Sequence, residues 1–208
     1  MIPTKTRRIS HRTLFFMREY GPHAHIASNI IRESLYVLLP AAVISSLGGI
    51  GLEAVRIKFL TILPLVILLP ALNDMVGDFG TIISSKFTIA LYRGYIKEAW
   101  WRSQFVRELG RAMFTIALIA ALYIGALSSW VAYLQGSAVG TELLFHVLEV
   151  ALIAAIVLTS LIFAVSIFGG LAIYRRREDP NNFLIPLTIA IADFGSLLVM
   201  AVLVVLLF

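Results

Sequence analysis

The sequence contains no cysteine, which excludes structural disulfides and every thiolate-bound metal. It is also short of charge. Asp, Glu, Lys and Arg make up 14% of the chain, where a soluble domain carries roughly 25%. Histidine is scarce, and His11, His23 and His25 all fall in the polar stretch at the start. Met1 to Met17 is basic and polar without an apolar run, so no cleavable leader is expected there. Short alternating segments of strand length are missing too, which argues against a membrane β-barrel.

What fills the chain instead is apolar sequence. Sixty per cent of the residues are apolar and the mean hydropathy is +0.92. Uncharged runs such as Ala112 to Leu134 and Val150 to Tyr174 exceed the ~20 residues a helix needs to cross the hydrocarbon. The net charge of +5 is no mark of a nucleic-acid partner, because the basic residues sit in loops beside these runs. The expected fold is therefore all-α: a polytopic membrane protein with the lipid bilayer as its solvent and no nucleic acid.

About five spans are read, near Leu35–Leu52, Phe59–Gly80, Ala112–Leu134, Leu143–Tyr174 and Phe183–Phe208. The second apolar run continues from Phe59 to Tyr92, too long for one upright span and too short for two. One span with a break is expected there, Gly77 and Gly80 permitting unwinding. The loops test this topology. Lys and Arg crowd the segment before the first span, the loop Arg93 to Arg111 and the loop Arg175 to Arg177. The intervening loops hold Arg56 and Lys58 in one case and no Lys or Arg in the other. That alternation predicts a cytoplasmic N-terminus and an outer C-terminus, in the plasma membrane. Residues 1–34 then form a cytoplasmic amphipathic segment, and residues 35–208 the five-span domain.

An ionised side chain at membrane depth costs a few kcal/mol, so function is sought at the intramembrane polar residues. They form two clusters. The first runs from Pro70 through Asn73, Asp74, Gly77, Asp78 and Gly80 to Ser84, Ser85 and Lys86. Asp74 and Asp78 are four apart and share a face if the helix is intact. Carboxylates, a side-chain amide and freed carbonyls make an all-oxygen set, which favours hard cations such as Mg2+, Ca2+ or Na+. The second cluster runs from Asp179-Pro180 through Asn182 and Pro186 to Asp193, Gly195 and Ser196. Asp193 is about 15 Å inside the last span and near the midplane, with no basic residue at matching depth; Lys86, the nearest candidate, is read as reaching the interface. Serines and threonines beside these clusters are read as helix glue. His146 and Glu149, three apart, are read as interfacial rather than as a metal pair.

At these two clusters the sequence resembles the MgtE magnesium-transporter family and its eukaryotic relatives, solute carrier family 41. The family's second-span motif is a proline, a Gly-Asn pair seven residues on, and a Ser-Arg or similar pair. Its counterparts here are Pro70, Gly77-Asp78 and Ser85-Lys86. Asp179, Pro180, Asn182, Pro186 and Asp193 resemble the motif that enters the family's last span. Asp78 departs from the usual Asn, and the family's cytoplasmic N domain and CBS modules have no counterpart in this sequence. The resemblance implies a homodimer with a pore on its two-fold axis, in which Asp193 meets a largely hydrated Mg2+. It implies a transporter of Mg2+ or another divalent cation rather than an enzyme, with Asp193, Asp78, Asp74 and Asn73 as the metal-facing set. Two other classes stay open at this point. One is a Na+- or H+-coupled cation exchanger of the same fold. The other is an intramembrane aspartyl-type enzyme using Asp78 and Asp193.

Overall fold

A chain this apolar has to satisfy its backbone amides internally wherever lipid surrounds it, and helices do so within a single segment. The computed structural model describes residues 26–96, 100–176 and 178–208. Six α-helices follow in order: α1 (Ile26–Ala54), α2 (Arg56–Thr61), α3 (Leu63–Tyr92), α4 (Gln104–Leu134), α5 (Thr141–Arg175) and α6 (Pro180–Leu207). A 3-10 turn, Trp100–Arg102, precedes α4. All but the short α2 are long and apolar enough to cross a membrane, so the five-span, all-helical expectation is met.

Three boundaries differ from expectation. The first span is apolar from Leu35, yet α1 begins nine residues earlier, at Ile26. The amphipathic helix expected further upstream lies outside the described residues. The second difference concerns the break in the second run, which does not fall at Asn73 or Gly77. α3 is continuous over 30 residues and passes through Pro70; the interruption comes at Ile62, where Pro64 opens the new helix. Leu65, Leu68, Leu72, Val76 and Ile83 are fully buried along α3, and that packing holds the glycine segment helical. Third, α6 starts at Pro180, so Pro186 is interior rather than in the first turn. It denies the Asn182 carbonyl its usual helical donor.

α6 is the hub of the bundle. It packs against α1, α3 and α5, while α3 also meets α4 and α5, and α4 meets α5. The principal neighbour of α1 is α6, and one narrow face of α1, with Ala41 and Gly48 buried, makes that contact. Most of its other described side chains, including Leu39, Val43 and Ile50, are exposed. Without water to drive apolar association between spans, close approach of small residues has to hold helices together. A Cβ on Gly48 would lie 3.0 Å from the Phe194 Cα, and one on Gly80 would lie 2.7 Å from the Thr188 Cβ. The small-residue stretch from Gly125 to Ser129 is used internally. Gly125, Ser128 and Ser129 are buried, and the Gly125 backbone faces Leu148 and Ala151 of α5.

The α3–α6 contact makes a first prediction. Gly80→Val forces two helix backbones apart and should destabilise the protein by about 1–3 kcal/mol. A Cβ at Gly77 would meet nothing within 4 Å, so Gly77→Ala should be neutral or slightly stabilising. Thermal unfolding of both variants in the same detergent checks the contrast.

Candidate functional site

The last span is started deliberately. Asp179 caps α6 by accepting a hydrogen bond from the Asn181 backbone N–H at 3.0 Å, and Pro180 supplies a first helical residue that has no N–H to leave unpaired. The Asp-Pro pair of the second cluster is thereby accounted for as a helix start. It fixes the register that puts Asp193 midway along the 28 residues of α6.

Asp193 is half-buried there, and its carboxylate is held by two other spans. Ser45 of α1 donates its hydroxyl to Oδ2 at 2.9 Å. Asn73 of α3 donates Nδ2–H to Oδ1 at 2.7 Å. The Asn73 side-chain oxygen in turn accepts from the Ser196 hydroxyl at 2.8 Å, one turn beyond Asp193 on α6. Three helices therefore converge on one carboxylate. Its burial is offset by hydrogen bonds from neutral donors, each roughly 1.5–3 kcal/mol to a charged group. Lys86, the nearest candidate for a counter-charge, does not fill that role: it is exposed, two turns beyond Asp78 on α3.

The four oxygen-bearing residues singled out from the sequence are divided by the fold. Asn73 and Asp193 are brought together. Asp74 and Asp78 lie on the exposed side of α3, in a stripe spaced by four residues: Pro70, Asp74, Asp78, Ile82 and Lys86. Among the described residues, no three His, Asp or Glu side chains gather closely enough on one chain to hold a metal ion. The Asp193 carboxylate is hydrogen-bonded to Ser45 and Asn73, whereas an aspartyl enzyme requires it paired with Asp78.

Asp193 is reachable from outside. A groove of about 460 Å³ runs between α1 and α6, walled by Leu38, Pro186 and Ile189, with Ser45, Ser46 and Asp193 as its polar members. Elsewhere the polar side chains act as expected of glue. Ser84 and Ser166 share a buried hydrogen bond at 3.1 Å between α3 and α5. The His146 ring meets the Phe208 ring edge-on at 5.5 Å, and Glu149 is exposed, which keeps this pair structural. Ser45 was not legible as a site residue, since its span holds no other signal than a Ser-Ser pair in an apolar run.

Five apolar spans around one hydrogen-bonded intramembrane carboxylate define a multi-pass helical membrane protein with a polar site at mid-depth. The model of the MgtE family, a divalent cation transporter, matches residues 69–203, and the chain belongs to that family. The match begins within α3, ends within α6, and takes in Asn73, Asp74, Asp78 and Asp193. No curated protein and no solved structure matches the chain.

Proposed function

We propose that the chain carries Mg2+ across the plasma membrane as a parallel homodimer, with Asp193 of each copy facing the ion path. The observation that carries this reading is the Asp193 carboxylate, fixed at mid-span by Ser45 and Asn73 and open to a groove. A carboxylate so placed attracts a cation, and an all-oxygen neighbourhood suits a hard one. Among the described residues a single chain offers no three-carboxylate set, and the stripe bearing Asp74 and Asp78 is costly against lipid. A second copy meeting that stripe relieves the cost and doubles the number of acidic groups along the path. The distribution of Lys and Arg supports a cytoplasmic N-terminus.

Purified protein in liposomes loaded with a Mg2+-sensitive dye tests transport. Dye response to external Mg2+, absent from empty liposomes, is expected; no response overturns the reading. Repeating the assay without Na+ or H+ gradients separates passive flow from coupled exchange. The dimer is tested separately, aided by the absence of native cysteine. Ile82→Cys places one thiol in the acidic stripe, and mild oxidation of membranes should yield a two-chain species. Ile119→Cys, on the exposed face of α4, should stay single. If the two variants cross-link alike, the stripe is not the shared face.

A further inference from the structure

We infer that Ser45 is a specificity-determining positioning residue, whose hydroxyl steers the Asp193 carboxylate away from direct chelation and toward ions held through water. The inference deepens the transport reading above and rests on it. Ser45 lies on α1, outside the residues matched by the family model.

A carboxylate offers about four lone-pair sites on two oxygens. Ser45 occupies one on Oδ2 and Asn73 one on Oδ1. The two donors come from different spans, α1 and α3, so the carboxylate is gripped from both ends and its rotation is restricted. One lone pair remains on each oxygen, and the side chain faces the groove. Bidentate binding of a bare cation draws on both oxygens at once, each already shared with a donor from a different span. Hydrogen bonds from the waters around a cation can be accepted singly, on whichever lone pair is left.

That arrangement discriminates between hard cations. Ca2+ readily takes a carboxylate in bidentate fashion, while Mg2+ is slow to shed water and keeps several waters when bound. Space is adequate for the hydrated form. Six waters at ~30 Å³ each occupy roughly 180 Å³, well within the groove of about 460 Å³. Ser45 is the member of the pair that can be removed cleanly. Losing Asn73 also strips Ser196 of an acceptor, whereas losing Ser45 subtracts a single donor. Its neighbour Ser46 cannot stand in, because that hydroxyl is engaged by the Ala42 carbonyl at 2.8 Å.

The test compares Mg2+ and Ca2+ flux into liposomes for wild type, Ser45→Ala and Ser45→Thr, with each ion alone and in competition. Ser45→Ala should raise the Ca2+ to Mg2+ flux ratio about tenfold, the scale of one hydrogen bond to a charged group. Ser45→Thr keeps the hydroxyl and should keep the wild-type ratio. A merely structural role would lower both fluxes together and leave the ratio unchanged. If Ser45→Ala does not insert, Ser45→Val takes its place beside Ser45→Thr, the two being alike in shape and differing in the hydroxyl. An unchanged ratio in the hydroxyl-free variant, or the same shift with threonine, overturns the inference alone. A wild type that carries neither ion overturns the transport reading, and this inference with it.

Discussion

Asp193→Asn should insert and assemble as the wild type does, yet lose Mg2+ flux by at least about tenfold. The substitution preserves size, and its hydrogen bonds can be re-formed. The new amide oxygen can still accept from Asn73 Nδ2, and the new amide N–H can donate to the Ser45 hydroxyl, which accepts as well as donates. What disappears is the negative charge at mid-span. Removing it eases insertion, since the charged side chain was the costly one, so thermal stability should hold or rise while transport falls. That opposition is the informative result. Loss of both stability and flux would mean Asp193 is a packing residue, and unchanged Mg2+ flux would remove it from the ion path. Asp78→Asn, which restores the residue usual in the family, should be milder, because Asp78 lies on the exposed stripe and not in the three-helix network.

Asn73→Ala is the second large effect expected. One truncation removes the donor to Asp193 Oδ1 and one acceptor of the Ser196 hydroxyl, which can still donate to the Ala192 carbonyl at 2.7 Å. Leaving a buried polar group unsatisfied costs about 1–3 kcal/mol, more for a charged one. A partner that orients an ion-binding group typically contributes 10–100-fold to affinity. Both stability and Mg2+ affinity should therefore drop, measured by thermal unfolding and by the Mg2+ concentration giving half-maximal flux. Ser84→Ala provides the contrast. It breaks the Ser84–Ser166 bond on the α3–α5 side and should cost stability while leaving Mg2+ affinity unchanged.

Much of this architecture was legible in the residues themselves. The five spans follow from run length, and Asp193 stood out because a carboxylate in an apolar helix has few explanations. Asn73 was singled out for its oxygen, but its structural part is chiefly as a donor to Asp193. That role depends on a helix crossing between residues 120 apart, which periodicity along one chain does not encode. Ser45 was harder still, being 148 residues from its partner and chemically ordinary for a membrane helix. The glycines misled in two directions. Gly77 and Gly80 were read as points of unwinding, whereas Gly80 admits Thr188 and Gly77 simply sits in an unbroken helix. Gly125, outside both polar clusters, seats α5. Small residues announce close contact, but not which helix makes it.

The pairing of α1 with α6 also bears on how the protein is made. α1 leaves the ribosome well before α6 and finds its principal neighbour only when that helix has been synthesised. At about 5–20 residues per second, α1 waits on the order of ten seconds or longer. Throughout that interval its narrow small-residue face, with Gly48 at the centre, meets lipid or the translocation machinery. The apolar run Leu35–Ala54 makes the wait tolerable, and Ser46 helps by satisfying itself on its own helix. A chain truncated before Pro180 would lack the principal neighbour of α1 and the Asp193 acceptor of Ser45. Docking of α1 is thus completed only by α6, far along the chain.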